Sequence, residues 1–334
     1  MPENNLNPFP KLGVKVLKEG ILDYVQAEDR KFIRYGFWDK GSKGSVIILP
    51  GRSEYIEKYN SVIEAFLERD YSVVCLDWRG QGLSQRPLGR TDIGHVKSFF
   101  EYQIDLETVI KELESKLSNK PKILFAQSMG GTIGLRHLLR NSGFKCAIFS
   151  GPLWGLPVSD FTISILIPIF NLAISLGFGL MTYPFKTDGF YLHHRPFEKN
   201  LLTSNFSVYQ QMRENLLIDP RLGLGPPTLN WLVTLYSEIK KLSKMPPPDI
   251  PHLTLFGEND RVVSKEAILA RMARTPKGDI HITPSALHEI FMETEDIQKE
   301  VWQKVDTFLE SSLHTVEQKN QIVFKEDKID KASS

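Results

Sequence analysis

Two periods of apolar positions run through this chain. Ile21 to Ala27 and Lys31 to Trp38 are strand-like runs joined by Glu28-Asp29-Arg30, a pattern that reads as a hairpin. Beyond them, short and nearly continuous apolar runs recur, each followed by a turn and then a helical pattern. Ser45–Leu49 stops at Pro50-Gly51-Arg52 and gives way to a helix through Leu67. Ser72–Leu76 stops at the glycine turn Asp77-Trp-Arg-Gly-Gln-Gly-Leu-Ser84, with a helix predicted from His95 to Leu117. Ile123–Phe125 ends in small residues around Ser128, and Lys145–Ser150 ends at Gly151. Strands that are apolar on both faces and alternate with helices predict an α/β protein, its mostly parallel central sheet covered by helices on both faces. In such sheets ligand chemistry belongs at the carboxyl ends of the strands. Arg52, Asp77, Ser128 and Gly151 all fall at such ends.

The alternation lapses from Pro152 to Glu238, a segment that reads as a helical cap inserted over the site. It holds an uncharged stretch, Phe161 to Phe185, flanked by Asp160 and Lys186. Three readings are open for it: apolar helices of the cap, a cap that also touches lipid, or a membrane span. Against a span, no second apolar run brings the chain back across a bilayer, and Pro168, Asn171, Gly177 and Gly179 interrupt it. Met245-Pro-Pro-Pro-Asp-Ile-Pro251 is a stiff linker. After it the pattern resumes with a strand His252–Phe256, a helix from Lys265, a strand Asp279–Thr283 and a closing helix Glu295–Leu309. The expected organisation is a core of residues 1–151 and 239–314 with a leader over 1–20, a cap over 152–238, and a polar, disordered tail over 315–334.

Net charge is +1, so no basic excess supports nucleic-acid binding. Cys75 and Cys146 lie in separate apolar runs and read as core side chains in a reducing compartment. The polar amino terminus lacks a signal-peptide layout, so a cytoplasmic location is the expectation. No paired His or Cys at ligand spacing predicts a metal, and no phosphate-cradling loop predicts a nucleotide, so no cofactor is expected.

The chemistry centres on Ala126-Gln127-Ser128-Met129-Gly130. Strand, sharp turn with serine at its tip and helix form a nucleophile elbow, here with alanine where glycine is usual. A serine hydroxyl needs a general base, and the base needs an orienting acid. Asp260, in the loop after the strand His252–Phe256, supplies the acid, and His288, in the loop after Asp279–Thr283, supplies the base. Glu258 is the rival acid. His281, within a strand, and His137, on the helix after the elbow, read as structural residues. His193 and His194 in the cap could line a substrate path or sit on the surface, and Asp77 reads as fixing its own turn. Two backbone N–H groups are candidates for an oxyanion hole, that of Met129 at the helix start and that of Arg52 behind Gly51. The Arg52 side chain could meet an anionic head group or be solvated.

With these residues the chain resembles the α/β-hydrolases, and more narrowly the bacterial lysophospholipases related to monoacylglycerol lipases and the serine aminopeptidases. The matching stretches are Leu49-Pro-Gly-Arg-Ser-Glu-Tyr55, Asp77–Ser84, Ala126–Gly131, Gly257-Glu-Asn-Asp-Arg-Val-Val263, Leu287-His-Glu-Ile-Phe-Met-Glu293 and, in the cap, Gly225-Pro-Pro-Thr-Leu-Asn-Trp231. Monoacylglycerol lipases usually begin the oxyanion loop with His-Gly, whereas Pro50-Gly51 stands here, which favours the lysophospholipase branch. Gln127 stands where relatives usually carry histidine. The resemblance implies a serine hydrolase cleaving carboxylic esters of single-chain lipids through an acyl-enzyme on Ser128, most simply a lysophospholipase. Monoacylglycerol lipase, general esterase, peptidase and non-catalytic lipid or protein binding are the alternatives. The implied partner is a small lipid or ester substrate. Peripheral contact of the cap with the inner membrane is one of the readings open for the Phe161 to Phe185 stretch.

Overall fold

A computed structural model describes residues 17, 19–140, 143–183, 192 and 195–332, with side chains as far as residue 313. The apolar runs become β1 Ile21–Gln26, β2 Phe32–Trp38, β3 Gly44–Leu49, β4 Tyr71–Leu76, β5 Lys122–Gln127, β6 Cys146–Ser150, β7 His252–Gly257 and β8 Gly278–Thr283. They form one eight-stranded sheet in the order β1-β2-β4-β3-β5-β6-β7-β8. The β1–β2 hairpin and the β2–β4 pairing are antiparallel. Every other pairing is parallel, so the mostly parallel sheet is as expected.

Both faces of the central strands are buried, and the period of two divides their side chains between two cores. On one face Ile47 and Leu49 of β3 join Leu124, Ala126 and Phe149. On the other, Val46 and Ile48 join Phe125, Ile148 and Leu255. The first face is covered by α2 Glu101–Glu112, α4 Met129–Arg140, α7 Leu229–Lys244 and α8 Lys265–Met272, through side chains such as Leu106, Ile133, Leu235 and Ile268. Between α2 and β5 lies the single turn α3 Glu114–Leu117. The second face is covered by α1 Asn60–Glu68 and α9 Glu295–Ala332, through Val62, Phe66, Val301 and Trp302.

Three boundaries differ from the sequence reading, each for a local reason. The helix expected from His95 begins at Glu101, whose carboxylate accepts the Ser98 N–H at 2.8 Å, half of a capping box. Residues 94–97 are instead hydrogen-bonded to the chain at 226–230: Gly94 N–H donates to Pro226 at 2.8 Å and Asn230 Nδ2 donates to Val96 at 2.7 Å. The helix α7 runs through position 238 without a break, because Trp231, Leu235, Ile239 and Leu242 belong to the main core. The closing helix passes Leu309 and continues to Ala332, across the segment expected as a disordered tail, in a stretch rich in the good helix formers Glu, Lys and Gln.

Between β6 and β7 lie α5 Asp160–Ala173, with Ser159 as its cap, and α6 Phe206–Ile218, capped by Asn205. A π-turn, Ile174–Phe178, extends α5. Within α5 only Ile163 and Phe170 are buried. Phe161, Leu172 and Leu176 are 75%, 62% and 65% exposed, an apolar surface that water does not favour. By length and composition alone, Asp160–Phe178 could cross a membrane. Both of its flanks, however, return to the body: Ser264 N–H donates to Gly155 at 3.1 Å and Asn230 N–H to Gly179 at 3.1 Å. His193 and His194, with the end of the uncharged stretch, lie outside the described residues.

Phe66 is fully buried and meets Phe125 and Trp302 edge-on at ring-centroid distances of 5.6 and 5.0 Å, joining α1 and α9 to the sheet. Phe66→Ala is expected to cost about 3–5 kcal/mol in urea unfolding, and a loss below about 1 kcal/mol would contradict this packing.

Candidate active site

At the end of β5 the chain turns so sharply that Ser128 adopts φ +51°, a left-handed conformation worth about 1–2 kcal/mol against a non-glycine residue. Hydrogen bonds hold it there. Ser128 N–H donates to Ser150 at 3.0 Å, while its carbonyl accepts from Gly131 and Leu153, both at 2.9 Å. The turn also needs α4 pressed onto the end of β3: a Cβ on Gly130 would collide with the Leu49 carbonyl. Alanine at 126 fits, because its small side chain is fully buried in the same core.

His288 and Asp260 come to this point from two separate loops. His288 Nδ1 and Asp260 Oδ2 are 2.7 Å apart, both side chains nearly buried. The other Asp260 oxygen accepts the Val262 N–H at 2.7 Å, which pins the carboxylate. The imidazole lies against Gly151, the residue after Ser150, since a Cβ there would stand 3.1 Å from Nδ1. Gln127 Nε2 donates to the His288 carbonyl at 3.4 Å. The unusual glutamine thus ties the histidine loop to the elbow. Burial by itself would push the imidazole pKa down; the hydrogen bond and charge of Asp260, with Glu289 and Glu54 behind it, outweigh burial and hold it above the ordinary histidine value.

The loop after β3 passes close to the serine, for a Cβ on Gly51 would lie 3.1 Å from Ser128 Cβ. Trp78 Nε1 donates to the Pro50 carbonyl at 2.8 Å and Gln81 Nε2 to the Gly51 carbonyl at 3.1 Å. Because the peptide group is planar and trans, gripping the Gly51 carbonyl points the Arg52 N–H the opposite way. Neither that N–H nor the Met129 N–H donates to another described residue.

Sequence reasoning missed a buried charge cluster behind this loop. Lys58 Nζ lies 2.6 Å from Glu54 Oε1 and 2.6 Å from Glu289 Oε1, joining the loop to the residue after His288. Glu54 also accepts from the Gly51 N–H and the Tyr59 hydroxyl. Burial raises the Glu54 carboxyl, yet Lys58 and these donors outweigh it and hold the pKa low. Burial raises Glu289, which has fewer donors and whose Oε2 has no partner among the described residues. The available signal was Glu54 and Lys58 at i and i+4 beside a Pro-Gly turn, a spacing more usual on solvated helices.

The other candidates lie elsewhere. Glu258 accepts the Ser285 N–H at 3.2 Å, His281 Nε2 stands 2.8 Å from Glu300, and His137 packs edge-on against Phe144 at 5.6 Å. Asp77 does hold its turn, accepting the Leu83 N–H at 2.9 Å, and also the Ile56 N–H at 2.9 Å beyond the Arg52 loop. Among the described residues no group of three or more His, Cys, Asp or Glu side chains could hold a metal ion.

Residues 40–295 match the family described as serine aminopeptidase, S33. The chain is 28% identical over 270 residues to a probable lysophospholipase L2 of Haemophilus influenzae, covering 79% of this chain and 83% of that one. It is 23% identical over 286 residues to a monoacylglycerol lipase of Mycolicibacterium smegmatis, covering 84% and 94%. A soluble variant of monoglyceride lipase from Saccharomyces cerevisiae, solved with a substrate analog, superposes with a TM-score of 0.71 over 90% of this chain and 97% of that one, at 19% identity.

In an NMR titration the His288 imidazole is expected to deprotonate above the usual value of about 6.5. In Asp260→Asn burial would prevail and the pKa would fall. An unchanged or higher value in that variant would show that Asp260 does not set it.

Proposed function

The chain belongs to the serine aminopeptidase S33 family and is a hydrolase of the α/β-hydrolase fold, and from this premise we propose that it cleaves carboxylic esters of single-chain lipids, most simply lysophospholipids, through an acyl-enzyme on Ser128. The observation that carries the reading is the His288–Asp260 pair at 2.7 Å, its imidazole against Gly151, whose neighbour Ser150 accepts the Ser128 N–H. His288 takes the hydroxyl proton as Ser128 Oγ attacks the ester carbonyl. The oxyanion of the tetrahedral intermediate is received by the N–H groups of Arg52 and Met129. Collapse expels the alcohol, which leaves with the proton from His288. Water, activated by the same imidazole, then attacks the acyl-enzyme and releases the fatty acid and free Ser128.

The substrate class draws on two supports. The relatives similar over most of the chain are named for lysophospholipid and monoacylglycerol hydrolysis. The inserted segment also presents the apolar α5, whose exposed Phe161, Leu172 and Leu176 suit a lipid surface better than water. The inserted segment that begins at Pro152 receives the acyl chain, and α5 rests on the inner membrane from the cytoplasmic side. Pro50-Gly51 in place of His-Gly favours the lysophospholipid over the glyceride.

Fatty-acid release from lysophosphatidylcholine is expected to exceed that from monoacylglycerol. Ser128→Ala should lower it by at least about 10⁴-fold without change in the circular dichroism spectrum. Full activity in Ser128→Ala would overturn the mechanism, and release from the glyceride alone would overturn the substrate. In liposome co-sedimentation, replacing Phe161, Leu172 and Leu176 by asparagine should move the protein from the pellet to the supernatant. An unchanged distribution would remove α5 as the contact.

A further inference from the structure

Arg52 is partly buried and, unlike the fully buried Arg34 and Arg79, meets no carboxylate among the described residues. Arg34 meets Asp77 at 3.0 Å as well as Glu57, and Arg79 meets Asp105 at 2.7 Å and Asp29 at 2.5 Å. The Arg52 guanidinium instead donates from Nη2 to the Gly225 carbonyl at 2.5 Å and from Nη1 to Ser53 Oγ at 3.3 Å. Its carbon stands 5.1 Å from the Trp231 ring centroid, within cation–π range. Its Nε is buried with no partner among the described residues. Burial pushes the guanidinium down to about 10, so it stays protonated at neutral pH. A cation held by one carbonyl, one hydroxyl and one aromatic face, with a buried Nε left unpartnered, is a costly arrangement for a side chain that only fills space.

The two groups that hold it lie on a segment fastened on both sides. Toward the sheet, Gly225 N–H donates to Thr91 at 3.0 Å and Trp231 Nε1 donates to the Tyr102 hydroxyl at 3.0 Å. Toward α5, Leu229 N–H donates to Met181 at 2.8 Å and Asn230 N–H to Gly179 at 3.1 Å. Arg52 therefore joins this segment to the loop that passes close to the serine, a Cβ on Gly51 lying 3.1 Å from Ser128 Cβ.

We propose that Arg52 is a positioning residue: its guanidinium, anchored on the Gly225 carbonyl and the Trp231 ring, sets the place of its own backbone N–H, so that the cap segment 225–231 holds one oxyanion donor. This rests on the acyl-enzyme reading of Ser128. Gln81 orients the peptide from the Gly51 side, while the guanidinium fixes the Cα on the other side. Losing the anchor lets the donor drift from the oxyanion without touching the serine or the histidine.

The test is a double-mutant cycle of Arg52→Ala and Trp231→Leu, with Arg52→Lys as the conservative variant. Each is assayed for kcat and KM on a short-chain p-nitrophenyl ester and for affinity toward a trifluoromethyl ketone, per active site titrated with a fluorophosphonate. Arg52→Ala should lower kcat about tenfold to a hundredfold, shift KM by less than about threefold, and weaken the ketone in parallel with kcat. Trp231→Leu should show a smaller loss of the same kind, and the double variant should be no worse than Arg52→Ala. Normal kcat and ketone affinity in Arg52→Ala, or losses that multiply in the double variant, would overturn the proposal. If Arg52→Ala does not fold, Arg52→Lys with Trp231→Leu carries the same cycle. A wild type without a fluorophosphonate adduct would remove the acyl-enzyme reading and this inference with it, whereas a reactive wild type beside an unaffected Arg52→Ala would overturn the inference alone.

Discussion

The close approach of α4 to the end of β3 is the constraint on which the site depends. No side chain fits at Gly130 against the Leu49 carbonyl, and two residues earlier the chain reverses through a non-glycine residue at φ +51°. The energy stored at Ser128 is offset by three backbone hydrogen bonds, to Ser150, Gly131 and Leu153, all at the carboxyl ends of parallel strands or just beyond them. The same edge collects the ends of β3, β7 and β8, so the loops bearing Arg52, Asp260 and His288 converge there as a result of strand direction alone.

Convergence is then made exact enough for chemistry by buried charge. Arg34 with Glu57 and Asp77 secures the backbone on one side of the loop after β3. Lys58, shared by Glu54 and Glu289, links that loop to the histidine loop. Such groups add little net stability, because their desolvation cost is comparable with the attraction gained. They do penalise any arrangement that leaves one of them unpaired, and so act on geometry. The cap takes part as well: Glu289 N–H donates to Leu202 at 2.8 Å, and Arg52 donates to Gly225, so both loops lean on the inserted segment.

Much of this was legible in the residue pattern. Short continuous apolar runs such as Val46–Leu49, bounded by turn residues, read as strands buried on both faces, and the order serine, acid, histidine after successive strands singled out Asp260 and His288 as the candidate acid and base. Asp260 rather than Glu258 meets the imidazole, the shorter side chain being the one whose second oxygen is pinned by Val262. The stretch from His95 to Lys97 misled because helical periodicity cannot see that its hydrogen-bonding groups go to residues 226–230, more than a hundred positions away. Position 238 failed as a boundary for a related reason, since the apolar face of α7 is shared with the main core.

The sequence by itself determined the class of sheet, the elbow and which side chains carry the candidate chemistry, because these follow from local period, small residues at turns and the order of loops. Only the tertiary structure decided the roles of Gln127, Glu54, Lys58, Glu289 and the Arg52 side chain. Their partners are the His288 carbonyl, one another, and the Gly225 carbonyl with the Trp231 ring. The physical reason is that a buried polar group is defined by what pairs with it, and most of these partners are brought close by packing between distant segments, which no local pattern in the chain records.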